Sequence, residues 1–264
     1  MKELLLAVWR YRYFILSSIR NDLRLRFIRS KLGGLWMIIH PLAQVLIFAT
    51  ILSEVLSAKL PGIDNKYAYA LYLMAGTLGW TLFNDGVTRS LTLFIDNGNL
   101  MKKMAFPRIC LPIITGGTAL INNVLLLAAI LAVFAVLGHY PGMNALWLPV
   151  LMALTLMMSM AVGLVLGILN VFMRDIGQVV PVVMQALFWL TPVVYNVRIL
   201  PEEYQSVFRL NPLYPLVTSY QNVLVFESAP LWSDLAWLAG GTVVLLLAAL
   251  MVFRRASPEM VDML

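Results

Sequence analysis

The residues able to do chemistry on a substrate are few and scattered. Asp85 is the clearest acid beside an apolar stretch, and Arg89 follows four positions later. That spacing puts the two on one helix face, where they can form a local ion pair near the membrane interface. An ionisable group inside a membrane is costly and often marks a transport path. Proton-coupled pumping would need a chain of such acids, and the sequence has none. Asp64 and the Glu202-Glu203 pair are too sparse for acid–base catalysis. His40 and His139 lie far apart, and Cys110 is the single cysteine, so no Cys/His spacing suits a metal and no intrachain disulfide can form. There is no G-x-x-x-x-G-K-[ST] phosphate loop, no Gly-rich dinucleotide loop and no Ser-His-Asp set. The expectation is a chain with no catalytic residues, no metal and no cofactor of its own.

The elements that would carry those residues are set by composition. The 264 residues are 61% hydrophobic and 12% charged, against about 25% charged in an ordinary soluble domain. A helix needs about 20 apolar residues to cross the roughly 30 Å hydrocarbon core. Charge-free stretches give Leu32 to Ser53, Tyr67 to Asn84, a long run from Ile109 to Met173, then Ile176 to Val197 and Leu235 to Phe253. His139-Tyr140-Pro141-Gly142 breaks the long run, because Pro and Gly together read as a turn, leaving helices near 111–137 and 146–171. The reading is an all-α integral-membrane fold of six transmembrane helices. A seventh stretch, Leu210 to Phe226, is short and contains Asn211-Pro212 and Tyr214-Pro215. With 198–209 it reads as short re-entrant helices before the last span, or as a surface loop. Irregular backbone at membrane depth requires protein or a water-filled cavity around it.

Lys and Arg set the orientation. With a cytoplasmic N-terminus, fourteen basic residues fall inside and four (Lys59, Lys66, Arg198 and Arg209) outside. The net charge of +6 is therefore a topology signal and gives no reason to expect a nucleic-acid partner. The N-terminus is too charged for a cleavable signal. One domain is expected throughout. It consists of a cytoplasmic amphipathic segment 1–31, spans one to five over 32–197, a periplasmic re-entrant segment 198–230, span six over 232–254 and a cytoplasmic tail 255–264. In the first segment Leu16, Ile19, Leu23 and Phe27 recur at helical spacing with Arg20, Arg24 and Arg26 on other faces. Such a helix lies in the inner interface against anionic lipid headgroups. It serves either as an anchor or as an attractor of an anionic lipid substrate. Trp80, Phe83, Phe188, Trp189, Tyr195, Tyr204, Tyr214 and Tyr220 gather in spans two and five and the outer segment. Trp and Tyr commonly form interfacial belts, while flat rings with polar edges can also hold and release a passing glycan.

Five groups of residues in order carry a resemblance. They are Ser30-Lys31-Leu32-Gly33-Gly34-Leu35-Trp36 with Pro41; Asn99-Leu100-Met101-Lys102-Lys103 with Phe106-Pro107 and Leu111-Pro112; Arg174-Asp175-Ile176; Phe188 with Thr191-Pro192-Val193-Val194-Tyr195; and Asn211-Pro212. The chain resembles the type-2 ABC exporter permeases for polysaccharides, whose members export O-antigen, capsule and teichoic acid. The resemblance covers nearly the whole length.

The resemblance implies a half-transporter in the bacterial inner membrane, both termini cytoplasmic. A second copy of the chain and two copies of a separate ATPase, holding ATP and magnesium, would complete it. The cargo would be a polysaccharide linked to undecaprenyl pyrophosphate. Asn97, Leu100, Lys102, Lys103 and Phe106 would couple to the ATPase, with Arg174 and Asp175 as a second contact. Arg24, Arg26, Arg29, Lys31, Leu32 and Gly33 would form the substrate entrance, the glycine allowing close backbone approach. Trp80, Phe83, Phe188, Trp189, Tyr195 and Tyr214 are the candidate channel lining. A permease for a small lipid or drug shares the architecture. A secondary transporter would need ion ligands or an internal repeat, and a membrane transferase would need clustered acids or histidines.

Overall fold

The computed structural model describes residues 6, 8–28, 32–51, 67–103, 106–197 and 201–263. Among them every regular element is a helix. In chain order these are α1 (Arg12–Ile28), α2 (Trp36–Thr50), α3 (Ala68–Asp96), α4 (Gly98–Lys103), α5 (Cys110–Val136), α6 (Leu148–Phe172), α7 (Ile176–Leu190), α8 (Glu202–Arg209), α9 (Leu213–Leu224) and α10 (Trp232–Met263). Single turns of 3₁₀ helix precede α2 and α6.

Among the described residues three helices are long and apolar enough to cross a membrane: Cys110–Val136, Met143–Phe172 and Trp232–Ser257. The break between the first two falls where the Pro-Gly signal put it. Gly138 takes a positive φ of 74°, which a residue with a Cβ adopts only at a cost. The other expected spans have different lengths from those read off the charge pattern. Helix α3 does not stop at Asn84 but runs 29 residues to Asp96, about 43 Å. It continues because Asp85 and Arg89 neutralise each other across one turn and so do not interrupt it. Helix α7 ends at Leu190, short of the expected Val197. Pro192 has no N–H to donate and pushes Thr191 into an extended conformation (φ −103°, ψ 135°), so the chain turns there. Helix α10 passes through the expected tail boundary and continues to Met263.

Helix α3 is the centre of the molecule. Its first half, from Ala68 to Trp80, is buried at almost every position, with α6, α5, α9 and α2 packed around it. Small residues let α3 and α6 approach closely and run parallel. A Cβ on Gly86 would stand 2.8 Å from Ser159 Cβ, and one on Gly163 would stand 2.6 Å from Ser90 Cβ. Such small-residue seams allow the backbone contacts that hold helices together in lipid. Asn170 and Asn123 tie the seams further, donating to the Leu91 and Leu78 carbonyls at 2.8 and 2.9 Å. Helix α9 is twelve residues long and buried along most of its length, with Tyr220 inserted where Gly79 leaves space. That burial excludes the surface-loop reading of 210–226.

Helix α1 lies against α5, but its buried stripe differs from the one the spacing predicts. Ile15 and Ile19 are buried beside Cys110, while Leu16 is 62% exposed. The stripe is set by where α5 offers room. Gly117 has no side chain, and the Ile19 Cδ1 occupies that space.

Candidate functional site

The second half of α3 changes character. Thr81, Asn84, Asp85, Thr88, Arg89, Thr92 and Asp96 recur at three- and four-residue intervals, forming a polar stripe on an otherwise apolar helix. Three cavities open along this stripe. The first, of about 190 Å³, lies between Trp36, His40 and Pro41 of α2 and Asn122 and Asn123 of α5. The second, of about 510 Å³, lies between α1 and α5 and is walled by Phe14, Ser18, Asp22, Leu25, Ile114 and Thr118. The third, of about 470 Å³, faces Gln44 of α2 and Pro181, Met184, Gln185, Phe188 and Trp189 of α7. Arg89 borders the first two, Thr88 the second and third, and Asn84 the first and third. Together they form a polar groove along α3.

One charge network sits in that groove. Arg89 Nε lies 2.6 Å from Asp85 Oδ1, the ion pair that the four-residue spacing predicts. The other Asp85 oxygen accepts from Asn122 Nδ2 at 3.2 Å. Arg89 Nη1 is also 3.9 Å from Asp22 Oδ2, so one guanidinium links α1, α3 and, through Asp85, α5. Its planar fork is suited to holding two carboxylates at once.

The third cavity gathers three of the aromatic residues singled out in the sequence. Trp80 and Phe188 meet edge to face with ring centroids 5.3 Å apart, Phe188 meets Trp189 at 5.6 Å, and Trp189 is 53% exposed. The other candidates lie elsewhere. Phe83 is buried, its ring 6.4 Å from Trp80. Tyr195 donates to the Trp189 carbonyl at 2.7 Å and so holds the end of α7. Tyr214 borders a separate cavity between α8 and α9. Tyr220 is fully buried with its hydroxyl 3.3 Å from Thr155 Oγ1, a core position. Gln44, Asn84, Thr88, Asn122 and Gln185 were not singled out from the sequence. The available signal was a polar side chain recurring within an apolar helix.

Beyond Leu190 the chain makes a turn at 191–197 whose carbonyls are held by side chains from α3 and α9. The Tyr69 hydroxyl donates to Val194 O, and the Tyr72 hydroxyl lies 3.0 Å from Tyr195 O. Gln221 Nε2 donates to Pro192 O at 2.9 Å. A backbone turn within a bundle needs such partners.

The opposite end holds the candidate coupling residues. Because α3 and α6 run parallel, the segment 97–108 and the turn at 173–175 lie at the same end of the bundle. Asn97 donates to Leu93 O at 2.8 Å, closing the end of α3. Leu100 is partly buried, and Phe106 packs against Phe14 of α1 with centroids 5.6 Å apart. Lys102 and Lys103 are exposed at the end of α4, and Arg174 and Asp175 are exposed before α7. The Asp175 side chain makes no capping bond. Among the entrance candidates, Arg24 is exposed, Arg26 lies on α1, and Arg29 and Lys31 fall outside the described residues. Leu32 is exposed and Gly33 has a φ of 46°, a left-handed conformation that favours glycine at the turn into α2.

A helical bundle with membrane-length apolar helices, cut by a polar and aromatic groove, is the architecture of an integral-membrane transport protein. Residues 14–225 match the ABC-2 type transporter family, and the chain belongs to it. It is 28% identical over 264 residues to the O-antigen export system permease protein RfbA of Myxococcus xanthus, covering 99% of both chains. A Klebsiella pneumoniae protein of the same name is 28% identical over 217 residues, 81% of this chain and 82% of that one. The polysialic acid transport protein KpsM of Escherichia coli is 24% identical over 244 residues, 91% of this chain and 92% of that one.

Proposed function

We propose that this chain is the membrane-channel subunit of a polysaccharide exporter, moving O-antigen on an undecaprenyl pyrophosphate carrier across the bacterial inner membrane. Two copies form the conduit, and two copies of a separate ATPase, holding ATP and magnesium, drive it. The chain crosses the membrane six times with both termini cytoplasmic, and α8 and α9 form the re-entrant pair on the outer side. Membrane lipids surround it, with α1 at the inner interface.

The observation that carries this reading is the third cavity. Trp80, Phe188 and Trp189 offer ring faces beside the amides of Gln44, Asn84 and Gln185, between α2 and α7. A glycan presents C–H faces and hydroxyls in alternation, and a wall of rings and amides can hold both weakly. Weak, repeated binding is what onward movement through a pore requires. Val179, Val182, Val183 and Leu190 on α7 and Leu46 and Ile47 on α2 are exposed apolar residues on the two helices that wall this cavity, and they suit a second copy of the chain. The names of the RfbA relatives support O-antigen as cargo, and that of KpsM supports a capsule glycan as the second reading.

Lipid-linked cargo enters from the inner leaflet past α1, where Arg24, Arg26, Arg29, Lys31 and the Leu32-Gly33 turn meet the headgroup. ATP-driven closure of the partner reaches the bundle through Asn97, Leu100, Lys102, Lys103 and Phe106, with Arg174 and Asp175 alongside. Deleting the gene removes the surface polysaccharide and leaves its lipid-linked precursor inside, and the sugar composition of the missing polymer separates O-antigen from capsule. Purification of the tagged chain brings down an ATPase at equal stoichiometry. Intact surface polysaccharide in the deletion strain, or ATP hydrolysis by the chain purified alone, overturns the proposal.

A further inference from the structure

A fourth cavity, of about 300 Å³, lies at the outer end of the bundle, away from the groove along α3. It is enclosed by α8, α9, the first turns of α3, the 191–197 turn and the segment before α10. Its wall combines two kinds of side chain. The rings of Tyr72, Tyr214 and Phe226 supply flat apolar faces, Tyr72 and Phe226 meeting edge to face with centroids 6.2 Å apart. Gln205, Asn222 and Arg209 supply planar polar groups from α8 and α9. Arg209 is the one charged residue in that wall among the described residues.

This pairing selects a ligand class. A lipid chain would be badly served by two amides and a guanidinium, each of which prefers a hydrogen-bonding partner. A free anion would gain little from three aromatic rings. A sugar satisfies both, because its C–H face packs on a ring while adjacent hydroxyls meet the paired donors and acceptors of amides or the guanidinium fork. The volume is at the lower end of the roughly 300–1,000 Å³ typical of small-molecule sites, enough for one or two sugar residues.

We infer that this outer cavity is a saccharide-binding subsite, one in each copy of the chain, that takes one or two residues of the exported glycan. The inference rests on the polysaccharide reading above. The cavity is held open by the same contacts that hold the 191–197 turn, since Gln221, which borders it, donates to Pro192 O. A sugar bound there lies beside the turn that ends α7. Arg209 is placed to pair with a carboxylate or phosphate where the sugar carries one.

The test is a titration of the full chain in lipid nanodiscs with mannobiose, galactobiose, chitobiose and a disaccharide of N-acetylglucosamine and glucuronate, read by saturation-transfer NMR. At least one probe binds saturably, with Kd of roughly 1–10 mM. Tyr214→Ala and Gln205→Ala each weaken it by about three- to tenfold, the size of one lost contact. Arg209→Ala, at an exposed position, weakens the glucuronate probe by a similar factor and keeps the test decisive if the Tyr214 variant fails to fold. Absence of saturation with all four probes to about 50 mM overturns the subsite, as does binding that none of the three substitutions weakens. Either result leaves the proposed function standing. Intact surface polysaccharide in the deletion strain overturns that function instead.

Discussion

Asn211 and Thr191, twenty residues apart, are joined directly, with Asn211 Nδ2 2.9 Å from Thr191 Oγ1. The same amide nitrogen lies 3.0 Å from Leu190 O, and Asn211 Oδ1 accepts from the Leu213 backbone nitrogen at 3.0 Å. Thr191 Oγ1 in turn donates to Leu187 O at 2.7 Å. One amide side chain therefore holds the end of α7 and the start of α9.

Replacing Asn211 with Ala removes all three of these bonds. The expected cost is about 1–3 kcal/mol, the range for leaving partly buried polar partners unmet. It is measured as a drop in the Tm of the detergent-solubilised chain. Asn211→Asp keeps the acceptor for Leu213 and loses the donor, so its Tm falls between the two.

The seam between α3 and α6 gives a second prediction. A Cβ on Gly86 would crowd Ser159, whereas one on Gly240 of α10 meets nothing within 4 Å. Gly86→Ala is expected to cost about 1–3 kcal/mol, as overpacking does, and Gly240→Ala to leave Tm unchanged or raised. Equal Tm values for the two variants would show that the helices are not in close contact there.

Arg89 gives a third. Its removal leaves Asp85 facing only Asn122, with an expected loss of roughly 1.5–3 kcal/mol. The double variant Asp85→Asn with Arg89→Gln is expected to recover part of that loss, because the Asp85 charge is removed together with its partner. The double-mutant coupling energy measures the pair.

The proposed coupling segment gives a fourth. Lys102→Glu with Lys103→Glu is expected to lower surface polysaccharide several-fold while leaving the amount of chain in the membrane unchanged, since both side chains are exposed. Phe106→Ala has a different signature. It also loosens the contact with Phe14 and so lowers Tm. Normal export from the lysine variant, with the ATPase still co-purifying, would remove the coupling role.

Much of the fold was readable from the chain. The helix break at 138–147, the ion pair of Asp85 with Arg89 and the short helices before α10 all follow from local rules of charge spacing, Pro and Gly. Two boundaries were misplaced for different reasons. Asp85 looks like the end of a span until Arg89 and Asn122 are seen to satisfy it, whereas α7 stops short of Val197 because of Pro192, a local signal that the charge pattern does not weigh. The stripe on α1 was read correctly at Ile19 and Leu23 and wrongly at Leu16, because what α1 buries is decided by Gly117 on another helix. Of the aromatic candidates, Trp80, Phe188 and Trp189 come together, while Phe83, Tyr195 and Tyr214 do not. Ring chemistry was visible in sequence, but the direction in which each ring points depends on helix rotation.

The burial of the first half of α3 on nearly every side makes it the post to which the other helices are tied. Helices α3, α6 and α9 are joined by glycine seams and by side-chain ties such as Asn170 to Leu91 O and Tyr220 to Thr155. Helices α2 and α7 carry apolar faces that are exposed among the described residues, including Ile39, Val179, Val182 and Val183. In the exporter proposed above, α7 is pinned to that joined block at its Leu190 end by Tyr69, Tyr72, Gln221 and Asn211, so the rest of α7, and not that end, is where a conduit can change width.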